Sequence, residues 1–225
     1  MDVNGENRGC NWLYGWFAVD RADYDAAGNL AYLEVRLEQR CETPDAPPLH
    51  VYLRWDRDAP SQPPPPGDPA DLAWHPPAGA VPATGPYLYF ETEADNGLAH
   101  GETRLVTPQT ATRSSLTSTE PRTFQMMFET DEYLGRYELT AVTPDGTDQF
   151  VPALYEDVSS PNQRNPLEAG VELSAFYTGC ASDDATLAVD RAEYDAEGLR
   201  LVEVRFLQPC GGMLWGAARW VRPEG

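Results

Sequence analysis

Val19-Asp20-Arg21-Ala22-Asp23-Tyr24-Asp25-Ala26 returns later in the chain as Val189-Asp190-Arg191-Ala192-Glu193-Tyr194-Asp195-Ala196, and this repetition decides how the rest is read. Gly9-Cys10 precedes the first copy and Gly179-Cys180 the second, 170 positions on. After a one-residue deletion the match continues. Glu34-Val35-Arg36, Gln39 and Cys41 answer to Glu203-Val204-Arg205, Gln208 and Cys210, and Leu49, Arg54 and Trp55 to Leu214, Arg219 and Trp220. An apolar alternation, a turn glycine and two cysteines are what a duplicated scaffold retains; a catalytic site has no need to be present twice.

Within each copy the period is two. Residues 17–24 and 30–39 read as a hairpin joined by Asp25-Ala26-Ala27-Gly28-Asn29, and 50–55 adds a further strand. Leu33, Val35 and Leu37 are expected inside, with Glu34, Arg36 and Glu38 in water; the second copy puts Val202, Val204 and Phe206 inside. Its own last strand is read at 215–221. Between the copies, strands are expected at 87–92, 101–107, 110–117, 123–129, 135–143 and 171–176, with turns at Pro121, Pro144-Asp145-Gly146 and Pro161-Asn162. The reading is all-β: an antiparallel β-sandwich made of a duplicated, disulfide-stapled unit.

Ten prolines fall between Pro60 and Pro86, four of them consecutive at 63–66. Such a stretch lacks ladder donors and favours extended polyproline geometry, so it is read as a semi-rigid spacer, with an aromatic-groove ligand as the rarer role. The expected organisation is a half-copy β unit at 1–58, the spacer at 59–86 and a complete sandwich at 87–225. The half copy is the second half of the repeat. Alone, it would leave strand edges unpaired and an apolar face uncovered.

Each copy owns one cysteine pair, Cys10 with Cys41 and Cys180 with Cys210, at nearly equal separations. One disulfide per copy fits, and points to an oxidising compartment. Buried free thiols are the alternative; a metal site would ask for Cys-x₂-Cys spacing or paired histidines, which are missing. Net charge is −20, so phosphate backbones and anionic lipid would repel the chain, and neither nucleic acid nor membrane insertion is expected. No apolar run reaches the ~20 residues of a spanning helix.

The stretches Gly5-Glu6-Asn7-Arg8-Gly9-Cys10-Asn11, Gly101-Glu102-Thr103-Arg104-Leu105, Leu134-Gly135-x-Tyr137, Gly179-Cys180, Val204-Arg205-Phe206-x-Gln208-x-Cys210-Gly211-Gly212 and Leu214-x-Gly216-x-x-Arg219 carry a resemblance. The chain resembles a bacterial all-β domain of unassigned function, found in secreted multidomain proteins, whose motifs run Gly-Arg-Gly-Cys-Asn, Phe-x-Gln-His-Cys-Glu-Gly and Leu-x-Gly-x-x-Arg. The likeness covers 85–222 in full and 5–55 as a second half only. Arg40 and Pro209 depart from it where the family favours histidine, as does the lost Gly-Gly doublet after Cys41. The resemblance implies a fold and an extracellular setting; the localisation expected for the chain is extracellular or cell surface, with a virion as the alternative. The resemblance supplies no catalytic residue.

Candidate chemistry is thin. Asp20, Asp23 and Asp25 recur as Asp190, Glu193 and Asp195 before a turn glycine, a pattern that could hold calcium or simply charge a hairpin edge. His50, His75 and His100 lie in separate segments, and no Gly-x-Ser-x-Gly elbow occurs. An enzyme is therefore not expected, nor any cofactor other than that calcium. Trp12, Tyr14 and Trp16 alternate, so they are read as one face, either core or a surface that stacks on glycan or partner. The resulting expectation is a non-catalytic structural module that self-associates through its half copy into an extracellular fibre, surface layer or virion coat. An adhesion or carbohydrate-binding module, assisted by calcium, is the alternative.

Overall fold

In a computed structural model of the chain the described residues are 10–57, 65–131, 135–175, 178–180, 182 and 184–223. The motif at Gly5 to Gly9, Leu134 and the end of the strand read to Phe176 lie outside them. Two compact units are formed, Met1–Gln62 and Pro63–Gly225.

The first unit is one three-stranded antiparallel sheet of β1 (Leu13–Tyr24), β2 (Leu30–Cys41) and β3 (Leu49–Asp56), in the order β1-β2-β3. Its register sets Phe17 against Leu37 and Val51, and Val19 against Val35 and Leu53, so these residues share one face. Ala18, Arg36 and Tyr52 line up on the other. Gly28, with φ of 84°, turns the hairpin, and the Asp25 carboxylate accepts the amides of Ala27 and Asn29 at 2.9 Å each.

The second unit is an antiparallel sandwich. Its strands are β4 (Tyr87–Thr92), β5 (Thr103–Val106), β6 (Arg113–Glu120), β7 (Thr123–Glu129), β8 (Arg136–Val142), β9 (Ala153–Val158), β10 (Gly170–Ala175), β11 (Thr178–Gly179), β12 (Ala185–Asp195), β13 (Gly198–Cys210) and β14 (Gly212–Val221). One sheet has the order β5-β4-β14-β13-β12-β9, the other β11-β10-β8-β7-β6. Their facing sides make the core, in which Phe124, Met126, Phe128 and Leu139 of one sheet pack with Phe90, Leu187, Phe206 and Trp220 of the other. Val202, Val204 and Phe206 are buried, as the alternation required. β9 is a strand that the alternation does not announce, because Pro152 and the short mixed run Ala153-Leu154-Tyr155-Glu156 carry little period-two signal.

The repeat is retained down to its irregularities. β12, β13 and β14 pair as β1, β2 and β3 do, with register shifts between Val19 and Arg21, and between Val189 and Arg191. An extra residue at that bulge, Asp20 or Asp190, keeps Val19 or Val189 on the apolar face while Arg21 or Arg191 lies opposite a glutamate on the polar one. Each copy has its disulfide: Cys10–Cys41 with Cα atoms 4.9 Å apart, and Cys180–Cys210 with 5.4 Å. Both bridges are consistent with a secreted or extracellular protein. Among the described residues no helix is long and apolar enough to cross a membrane.

The proline-rich stretch departs from its reading as a spacer. From Pro65 onward it belongs to the second unit and covers the outer side of the six-stranded sheet. Gly67 exchanges two backbone bonds of 2.8 Å with Leu154 on β9. Asp68 caps a single 3₁₀ turn, Pro69–Asp71, and Leu72 then buries against Leu154 and Ala188. Further along, Trp74, Ala80 and Val81 pack on Tyr87, Tyr89 and Ala217. Proline removes donors and leaves carbonyls free, which suits a strap held by a neighbour's donors rather than by a ladder.

Candidate functional site: the two faces of the duplicated sheet

The three-stranded sheet occurs twice in two environments, so each side chain of the first copy can be compared with its counterpart. On the inner face the counterparts form the sandwich core: Leu187, Val189, Val204, Leu214 and Trp220 are buried. In the first unit Val35 and Leu37 on the central strand are buried, while the flanking strands are not. Phe17 is 58 % exposed where Leu187 is 0 %, and Trp55 is 41 % exposed where Trp220 is 2 %. Val19, Leu49 and Leu53 are likewise exposed. In the second unit β4 pairs with β14 and β9 with β12; in the first, the sheet order ends at β1 and β3.

Gln208 shows how the inner face engages its cover. It lies in the core, where its side-chain oxygen accepts the Leu173 amide of the opposite sheet at 3.0 Å and its nitrogen donates to the Cys180 carbonyl. The repeat retains this residue as Gln39, buried, whose side-chain nitrogen reaches the Cys10 sulfur at 3.2 Å.

The outer face is built around an arginine. Arg205 donates from Nε and Nη2 to Asp190, at 2.8 and 2.7 Å. Its Nη1 takes the Leu72 carbonyl and, at 2.6 Å, the Trp74 carbonyl, while Nη2 also takes Pro69 at 2.7 Å. A planar guanidinium with five donors can serve a carboxylate and several carbonyls together, which an ammonium could not do in this geometry. Beside it, Arg219 pairs with Glu203, lies over the Tyr87 ring and reaches the Pro82 carbonyl at 3.3 Å. In the first unit Arg36 holds Asp20 through the same two nitrogens, at 2.7 and 2.6 Å. That hydrogen bond keeps the Asp20 carboxyl below its usual range, partly offset by desolvation, and raises Arg36 in return.

The acidic turns do not converge. Asp23 bonds Arg21; Asp25 bonds its own turn and Arg57; Asp190 bonds Arg205; Glu193 bonds Arg191 and Arg200; Asp195 bonds Arg222 and the Glu197 amide. Each carboxylate therefore has its own arginine. Among the described residues no group of three or more metal-ligating side chains comes together.

Tyr14 and Trp16 lie on one side of β1, as the alternation put them, and that side is the outer one. Tyr14 and Trp16 share the face of Ala18 and Asp20, opposite the face whose counterpart is the core, and Trp12 precedes β1; all three are exposed. Sequence reasoning missed the true apolar face of β1, Phe17 and Val19, because the tryptophans outweighed them in bulk. The signal was present in the repeat: Phe17 and Val19 align with Leu187 and Val189, whereas Trp16 aligns with Thr186.

The fold and these faces define a disulfide-containing β protein of antiparallel sheets that carries the same three-stranded sheet twice, with the apolar residues of its flanking strands exposed in the first copy and buried in the second. Comparison with family models, curated proteins and solved structures gives no match for this chain.

Proposed function

We propose that the protein is a non-catalytic structural module whose first unit is completed by a β-rich layer from another subunit, building an extracellular assembly such as a fibre, surface layer or virion coat. The observation that carries this reading is the exposure of Phe17, Val19, Leu49, Leu53 and Trp55 at positions whose counterparts, Leu187, Val189, Leu214, Ala218 and Trp220, are buried beneath a second sheet. An apolar sheet face whose outer strands, among the described residues, each pair on one side only favours association, because burying it removes several large side chains from water at about 1.5–3 kcal/mol each.

Sedimentation velocity of the full chain tests it. Association that grows with concentration, and that Val19→Glu or Leu53→Glu suppresses while the second unit keeps its melting transition, is the expected result. A strict monomer at every concentration, with both variants indistinguishable from the parent, overturns the reading.

A further inference from the structure

We propose that the outer face of β1–β3 is a docking site for an extended, proline-rich segment of a partner polypeptide, gripped through its backbone carbonyls by Arg36. The chain itself contains the worked example. On the outer face of the second copy, residues 67–82 lie across β12–β14, with Leu72 against Ala188, the carbonyls of Pro69, Leu72 and Trp74 on Arg205, and that of Pro82 on Arg219.

The repeat retains the residues that do this. Ala18, Asp20, Arg36 and Arg54 stand where Ala188, Asp190, Arg205 and Arg219 stand, and Glu34 stands where Glu203 orients Arg219. Solubility of an exposed face would be served by any polar residues. Retaining an alanine among charges, together with the bulge that sets Asp20 beside Arg36, is explained by a chain lying over them.

The occupancy differs. The Arg36 side chain is 58 % exposed and that of Arg205 is 4 %. Among the described residues Nη1 of Arg36, the atom that in Arg205 takes the Leu72 and Trp74 carbonyls, bonds no acceptor. A guanidinium already oriented by a carboxylate loses little freedom when it binds a carbonyl, so the donor is prepared for its ligand.

The substitutions also suit proline. Where the second copy has Asp184, Thr186 and Ala217, the first has Tyr14, Trp16 and Tyr52, all exposed, with Tyr52 directly across from Arg36. Aromatic rings flanking a hydrogen-bond donor are the chemistry that recognises proline-rich extended peptides, since proline rings stack on them and the chain arrives with its entropy already reduced. The retained residues specify carbonyls, and the changed ones specify prolines.

The proposal stands on the face opposite to the one that carries the assembly reading, so each can fail without the other. The test is a fluorescein-labelled peptide with the sequence of residues 67–82, titrated into the full chain and followed by anisotropy. Saturable binding is expected, weakened about tenfold or more by Arg36→Ala and not restored by Arg36→Lys, which lacks the planar fork. Arg36 is exposed, so its variants keep the parent's circular dichroism, and Val19→Glu leaves peptide binding intact. Absence of saturation, equal binding by Arg36→Ala, or equal binding of a scrambled peptide of the same composition overturns the proposal. So does binding lost in Arg205→Ala but kept in Arg36→Ala, which would place the peptide on the second unit in exchange with its resident strap. A glycan-array signal abolished by Arg36→Ala, with no peptide bound, would assign the face to sugar instead.

Discussion

Replacing Arg205 by methionine removes the guanidinium and keeps an unbranched apolar stem, so it isolates the polar grip on the strap. Asp190 and the carbonyls of Pro69, Leu72 and Trp74 lose their donor together. Removing one member of a buried charge pair costs about 3–5 kcal/mol. The Asp190 side chain is 32 % exposed and regains part of its hydration, and the strap carbonyls can turn to water if the strap lifts, so the lower end, about 3 kcal/mol, applies here. For a unit of this size each kcal/mol moves the melting temperature by about 2–4 °C, which gives a fall of about 6–12 °C. Calorimetry measures that directly. Urea titration by tryptophan fluorescence adds a local report, because Trp74 belongs to the strap, and limited proteolysis should cut 65–86 sooner. Arg36→Met is the matched control: its side chain is exposed, so its melting transition should move far less than that of Arg205→Met. If Arg205→Met unfolds within about 1 kcal/mol of the parent and its strap is equally protected, the carbonyl–guanidinium cluster does not hold the strap and the reasoning fails.

Opening the Cys180–Cys210 bridge by a double serine substitution should lower stability by about 3–4 kcal/mol, the loop-closure value for a separation of 30; calorimetry checks it, and an unchanged transition would refute it. Gly216 lies in the core opposite Phe206, and a Cβ built on it would come within 2.1 Å of that ring, whereas the first copy has Val51 opposite Leu37. Gly216→Val should therefore cost about 1–3 kcal/mol, and Gly216→Val with Phe206→Leu, which recreates the first copy's pair, should recover most of it; additive losses in the mutant cycle would refute the exchange. Burial, and then the hydrogen bond to Glu91, push the Tyr89 phenol from its ordinary 10.0 up to about 12. The unfolded chain then ionises first, so this contribution is complete below pH 10 and lost as pH rises towards about 12; absorbance at 295 nm should show delayed tyrosine ionisation accompanied by unfolding. At the acid end the Asn29 amide, followed by Arg57, holds Asp25 down to about 2 from 3.8, so its contribution is present above pH 3.8 and lost as pH falls towards 2; the carboxyl shift in a carbon-detected titration should have its midpoint near there.

Local pattern was enough for everything that depends on neighbours in the chain. The alternation at 33–38 and its repeat assigned Val35, Leu37, Val204 and Phe206 to the interior, and the duplicated cysteines marked their own partners, because strand faces and loop closure follow from spacing. Coverage does not follow from spacing. Phe17 and Leu187 occupy the same register on the same strand, yet one is exposed and the other buried, since burial is set by whether a second sheet exists to lie across them. The prolines at 65–86 declared an extended, donor-poor chain in either case. That the carbonyls of Pro69, Leu72 and Trp74 converge on Arg205 depends on a strap and a strand more than 130 residues apart meeting in space, a contact that only the packed fold creates.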